Sequence, residues 1–254
     1  MRIERKVGAS AAVVGALLLA AGGAVPAFAR SSPAAGLAQA TGLRFAGTAN
    51  TTSTSFGGWQ FGSKTATSVT TEFKVPVFGC GENENGVGAF AIFDTGTASA
   101  PKFNAAGLLL DCAVIGGEAA AVVLDGRVVA VAPQQVFFGD LLQATIVSSA
   151  TKTTATVKDL TAGHTFTLTR SGAGGAPLQE RIGDAAEFLG GHQLPVGDFG
   201  KILFRKGAVS GKALGSVTPR RGVNMQTPNG VLQILTGALS GPAKNSFLTT
   251  WKHS

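Results

Sequence analysis

Cysteine, histidine and charge are all scarce in this chain, and each shortage closes off a class of function. Two cysteines and three histidines among 254 residues leave no C-x-x-C and no H-E-x-x-H. Cys80 and Cys112 have no supporting ligands nearby, since the histidines are His164, His192 and His253. No metal site is therefore expected. There is also no G-x-S-x-G and no Walker loop. Ser171-Gly172-Ala173-Gly174-Gly175 follows a strand-like stretch but opens no helix, so it reads as a flexible loop rather than a phosphate cradle. None of these patterns asks for a cofactor. Only 14% of residues are charged, and runs of Glu, Lys and Leu at helical spacing are missing. Past the first thirty residues no stretch offers the ~18 consecutive apolar residues of a membrane span.

What is present begins with a leader. Arg2, Arg5 and Lys6 precede an apolar stretch from Ala11 to Ala21, and Ala27-Phe28-Ala29 supplies an A-x-A cleavage site. Residues 1–29 read as a secretory signal whose removal leaves no stable membrane anchor. An uncleaved anchor is the alternative. Residues 30–54, rich in Ser, Ala, Gly and Thr without periodicity, read as a flexible linker. A single domain is expected over residues 55–254. The net charge of +7 includes +2 from the leader, so about +5 remains, which does not require a nucleic-acid partner. Lys201, Arg205, Lys206, Lys212, Arg220 and Arg221 concentrate basic charge in the last third. They read as solvated strand edges and loops, with contact to an anionic envelope as the alternative. Export places Cys80 and Cys112 in an oxidising compartment, where a disulfide is expected.

Periodicity points to sheet. In Val69-Thr70-Thr71-Glu72-Phe73-Lys74-Val75 apolar and polar residues alternate up to Pro76, as in a strand with one buried face. The same period recurs at Leu142, Ala144 and Ile146, and at Ala155 and Val157. Thr161-Ala162-Gly163-His164 separates two such stretches as a hairpin turn. Further strands are expected at residues 88–94, 106–112, 118–124, 127–131, 185–189, 201–204, 231–235 and 247–251. Many short strands with little helical periodicity predict an all-β fold, two packed antiparallel sheets or a barrel.

Candidate chemistry is sparse. Spacing places no Ser, His and Asp together as a triad. Asp94 and Asp111 are candidates for paired carboxylates on adjacent strands, with turn or hydrogen-bonding roles as the alternative. Trp59, Trp251 and the phenylalanines are candidates for a sugar-stacking face, with core packing as the alternative.

The order of segments resembles one known family. Phe56-Gly57-Gly58-Trp59, a strand running into Val75-Pro76, and then Cys80 resemble the opening of bacterial glutamic peptidase (eqolisin) domains. Ala89-Phe90-Ala91-Ile92-Phe93-Asp94 resembles the family's apolar strand ending in Asp. The segment from Gly107 to Asp111-Cys112 resembles its Gly-containing strand that closes in Asp-Cys. Asp159-Leu160-Thr161-Ala162-Gly163, Ala186-Glu187-Phe188, Leu194-Pro195 with Asp198-Phe199-Gly200, and Asn245 to Trp251 follow in the family's order. The resemblance implies a concanavalin A-like β-sandwich (jelly-roll) of two antiparallel sheets with a substrate groove across the concave one. It also implies a secreted, extracellular bacterial protein. Trp59, Phe90, Asp94 and Glu187 are the candidate groove residues.

The family cleaves peptides with a Glu that activates water and a Gln amide that positions it and stabilises the oxyanion. The resemblance puts the Gln position at Ala105 and the Glu position at Gly191, so neither side chain is available. Small apolar residues around 121–123 stand where the family carries groove-lining Trp and Glu. Loss of a general base costs about 10²–10⁴ in rate and loss of an oxyanion donor about 10²–10³. The expectation is a noncatalytic extracellular module whose concave face holds a peptide, glycan or cell-envelope polymer. The alternative is an acid endopeptidase in which Gln193, Glu180 or Glu118 has taken over.

Overall fold

The computed structural model describes residues 51–79, 86–112, 117–131, 136–189 and 192–252. Among the described residues nineteen strands follow in order. The first ten are β1 (Thr51–Ser53), β2 (Phe56–Phe61), β3 (Ser68–Lys74), β4 (Gly86–Thr97), β5 (Ala100–Lys102), β6 (Ala105–Asp111), β7 (Gly117–Leu124), β8 (Arg127–Val131), β9 (Leu141–Ser148) and β10 (Lys152–Asp159). Then come β11 (Thr165–Ser171), β12 (Pro177–Ala186), β13 (Phe188–Leu189), β14 (His192–Gln193), β15 (Lys201–Val209), β16 (Lys212–Ala213), β17 (Arg220–Gln226), β18 (Leu232–Thr236) and β19 (Phe247–Trp251). No helix among the described residues is long and apolar enough to cross a membrane.

The strands form two antiparallel layers. In the first, ladders run β8-β7-β6-β4-β12-β2-β17-β18-β19-β15. In the second they run β16-β15-β3-β9-β10-β11. β15 belongs to both: Lys201 to Phe204 pair with β19, and from Arg205 onward the strand pairs with β3. Leu142, Ala144, Ile146, Ala155 and Val157 project from the second layer onto Ala89, Ala91, Phe93, Leu108, Leu110 and Val122 of the first, all buried. These are the alternating apolar positions seen in the sequence, because a strand turns every second side chain to one face. The opposite faces of β9, β10 and β11 carry threonine pairs, with Oγ1 atoms of Thr154 and Thr169 at 2.8 Å and of Thr156 and Thr167 at 3.1 Å. Cross-strand pairs of this kind fix register. The predicted hairpin closes between β10 and β11. Asp159 Oδ1 accepts from the N–H groups of Thr161 and Ala162 at 2.8 and 2.9 Å, and Gly163 takes φ 80°.

Three expectations need correction. Thr51–Ser53, inside the stretch read as linker, form a strand that pairs in parallel with Val223–Met225; residues 30–50 lie outside the described residues. The strand expected at 185–189 begins at Pro177, and β17 was not foreseen at all. Both strands bury charge: Glu180, Arg181 and Asp184 are fully buried and Arg221 is 2% exposed. Periodicity cannot reveal a strand whose polar residues point inward. For the same reason Arg221 is not a solvated edge residue.

Candidate groove face

The first layer has a second face, turned away from the other layer. Residues of the opposite parity meet there: Phe56, Phe90, Ile92, Phe103, Ala105, Leu109, Ala121, Val123, Ala185 and Val223 form a separate buried apolar cluster. The ladders set these residues out in rows. One row runs Arg221, Gln60, Arg181, Ile92, Ala105, Val123. The next runs Val223, Gly58, Gly183, Phe90, Gly107, Ala121. A third runs Phe56, Ala185, Gly88, Leu109, Ala119.

Ala105 therefore sits mid-row, fully buried. Across β4 from it in the same row is Arg181, about 10 Å away at two strand spacings. Arg181 is itself fully buried and donates from Nη2 to Asp94 Oδ2 at 2.5 Å. Its guanidinium lies 5.4 Å from the ring centroid of Phe56 and 5.8 Å from that of Phe103. Burial raises Asp94 to about 6 even though Arg181 opposes the shift, and burial lowers Arg181. Next in the row, Arg221 Nε donates to Gln60 Oε1 at 2.8 Å. Asn104, just before Ala105, ties the corner together. Its Nδ2 donates to the carbonyl of Phe93 at 3.1 Å and its Oδ1 accepts from Asp125 N–H at 3.0 Å.

A second polar cluster lies at the far end of the face. Gly86 is registered with Asp111, and Glu187 folds over Gly86 so closely that a Cβ there would lie 2.1 Å from Glu187 Oε2. Burial, a hydrogen bond with Asp111 and the charge of Asp111 together raise Glu187 to about 9. The paired carboxyls of this fold are thus Asp111 and Glu187. Asp94 and Asp111 stand at opposite ends of the β4–β6 ladder, so the pairing considered from the sequence does not form.

The candidate groove residues divide. Phe90, Asp94 and Glu187 lie on this face. Trp59 does not: it belongs to the cluster between the layers and donates Nε1 to the carbonyl of Gly237 at 3.1 Å. Phe56 takes the face position three residues earlier. Gly191 and Cys80 lie outside the described residues. Sequence reasoning missed Arg181 and Gln60, because nothing local shows that a charged or amide side chain points inward, and it did not single out Phe103, which lies outside any alternating run.

The substitutes considered for catalysis are not brought together. Glu180 turns to the other face of β12 from Arg181, and its Oε2 accepts from Ser63 N–H at 2.9 Å. Burial raises it to about 8, against the pull of that hydrogen bond. Glu118 is registered with Leu110, at the end of β6 remote from Ala105. Gln193 Nε2 donates to Gln233 Oε1 at 3.4 Å. Among the described residues no group of three His, Cys, Asp or Glu side chains is placed to hold a metal ion.

The antiparallel β-sandwich is the fold of the eqolisin glutamic peptidases. The sequence profile of the Peptidase A4 family matches residues 53–240, and the chain belongs to this family, the eqolisins. The fold is also that of scytalido-glutamic peptidase, solved with a transition state analog inhibitor. That match has a TM-score of 0.64 at 15% identity over 78% of this chain and 98% of that one. SCP-B, an eqolisin solved with the tripeptide Ala-Ile-His, matches with a TM-score of 0.61 at 17% identity over the same shares. No curated protein matches the chain.

Proposed function

We propose that this chain is a noncatalytic, secreted member of the glutamic peptidase family, a binding module rather than a peptidase. The observation that carries the reading is the row of Ala105. The position that the resemblance matches to the family's Gln is a buried alanine, and across β4 in its row stands a guanidinium already held by Asp94. Arg181 is cationic throughout the accessible pH range, so it can take no proton from water.

The burial of the face supports the same reading. Ala105, Ile92, Phe56, Ala121 and Val223 are all fully buried, which leaves no described route for a peptide bond to reach this row. Glu180 is a poor substitute, because a carboxyl raised to about 8 is protonated at acidic pH, where it cannot act as general base. Secretion rests on the leader in residues 1–29. The ligand expected from the sequence is a peptide, glycan or cell-envelope polymer in the concave face, and with the row of Ala105 buried it would be held outside that row.

The experiment is hydrolysis of an unfolded protein from acidic to neutral pH by the natural chain and by an Ala105→Gln, Gly191→Glu double variant. The natural chain is expected to be silent at every pH. Cleavage by the natural chain that disappears in Glu180→Gln, Gln193→Ala or Glu118→Gln would replace this reading with that of an acid endopeptidase using relocated groups.

A further inference from the structure

The edge of the first layer, where β15 passes into the second, carries a pocket that shares no lining residue with the groove cluster. β3 and β15 are paired at Arg205 and Glu72 but not beyond. After Lys74 the chain leaves β15: Val75 N–H bonds to the carbonyl of Asp140, and Gly139 N–H bonds to the carbonyl of Val75. The two strands open into a fork that encloses a pocket of about 830 Å³. Its lining combines three cations, Lys74, Lys201 and Arg205, with the apolar side chains of Val77, Phe138 and Leu203.

Two features make the fork more than a surface dent. The first is its exposed apolar area. Val77, Phe138 and Leu203 are 62%, 65% and 46% exposed, and neighbouring Phe137 is 63% exposed. These four are half of the exposed large hydrophobic residues described, gathered at one place, which marks an interaction surface. The three cations make no ion pair among the described residues; the pocket's one acid, Asp198, accepts the N–H of Gly200 at 2.8 Å.

The second feature is an open strand edge. Trp251 N–H bonds to the carbonyl of Gly200 at 3.0 Å, and Lys201, Ile202, Leu203 and Phe204 follow in antiparallel register with Thr250, Thr249, Leu248 and Phe247. Antiparallel ladders alternate, so Gly200, Ile202 and Phe204 face β19 with their peptide groups. Lys201 and Leu203 direct N–H and C=O away from β19, into the fork. No described strand pairs with them there.

We infer that this fork docks an extended acidic peptide segment, which adds as a strand along the Lys201 and Leu203 edge. Its carboxylates meet Lys74, Lys201 and Arg205, and its apolar side chains pack on Val77, Phe138 and Leu203. Main-chain pairing supplies affinity, and the pocket supplies the choice of side chains. The charge excess selects acidic over basic segments.

The test is fluorescence polarisation of the full chain with short labelled peptides. One alternates glutamate with leucine or phenylalanine, a second replaces glutamate with lysine, and a third is the acidic peptide N-methylated at alternate residues. The acidic peptide is expected to bind, with affinity falling as salt rises, while the other two bind about tenfold or more weaker. Lys201→Glu with Arg205→Glu should weaken the acidic peptide by about tenfold or more, and Leu203→Asp should weaken it too. Lys201 and Leu203 are exposed and Arg205 is half-buried, and unchanged thermal melting of both variants separates loss of binding from loss of fold. Equal binding of acidic and basic peptides overturns the inference, as does indifference to N-methylation. Displacement of the acidic peptide by an oligouronate that binds more tightly overturns it as well and assigns the fork to an anionic glycan.

Discussion

Replacing Asp94 with leucine tests most directly whether the groove face is sealed. Asp94 is 2% exposed and is, among the described residues, the only hydrogen-bonding partner of the fully buried Arg181, at 2.5 Å; Nε and Nη1 of Arg181 have none there. Removing one partner of a buried pair leaves an uncompensated charge and costs about 3–5 kcal/mol. Arg181 cannot escape by losing its proton. The rings of Phe56 and Phe103 flank the guanidinium in the natural chain and in the variant alike, so they cancel in the comparison and the expected cost stays at about 3–5 kcal/mol. Asp94 holds its proton more tightly in the folded chain, at about 6, than at its ordinary value of 3.8, so the natural chain loses stability between pH 5 and pH 7 and the leucine variant does not; the cost should be about 1 kcal/mol smaller at pH 7 than at pH 5. Arg181→Met orphans Asp94 instead, and that carboxyl can take up a proton. Its penalty should therefore be smaller at pH 5 than at pH 7. The double variant should return to within about 1 kcal/mol of the natural chain, since a well-packed apolar pair often replaces a buried ion pair without loss. Urea denaturation of the four proteins at both pH values gives the cycle. A cost below about 1 kcal/mol for Asp94→Leu would mean that water reaches the guanidinium, and the closed-face argument against catalysis would fail.

Other outcomes follow from the same structure. Glu180, Asp184 and Glu187 are raised by burial to about 8, 8 and 9. Carboxyls with raised folded values hold protons more tightly in the folded state, so stability should fall as pH rises from about 5 towards 9; thermal melting across that range checks the sign, and a rise refutes it. Gly107→Ala should destabilise by about 3 kcal/mol or more, because the new Cβ would lie 2.0 Å from the carbonyl oxygen of Ala89 on the neighbouring strand. Glu187→Gln removes the carboxyl that shares the Asp111 site, and should lessen the loss of stability at high pH; an unchanged pH profile would refute the pairing. A Cys80–Cys112 disulfide predicts that alkylation without reductant leaves the mass unchanged, and that Cys112→Ser lowers stability by about 3–4 kcal/mol.

The strands that alternate cleanly were legible from residues 69–75, 142–146 and 155–169, because each has one wet face and one dry face and composition records the difference. The family was legible from ordered short motifs, and with it the face to which Phe90, Asp94 and Glu187 belong. What composition could not register was β12 and β17. There both faces of a central strand are buried, so Arg221 read as solvated when it is enclosed, and nothing local marked Gln179, Glu180 and Arg181 as buried. Trp59 was misplaced for a related reason: Phe56 and Trp59 are both aromatic beside two glycines, and only strand parity tells which one faces outward. Sequence by itself determined the class of fold, the family and the alanine at position 105. Tertiary structure alone decided that Arg181 stands in that alanine's row and that β3 and β15 part to leave Lys201 and Leu203 with an open edge. Both depend on which strands become neighbours and in what register, and that is set by long-range packing rather than by any local run of residues.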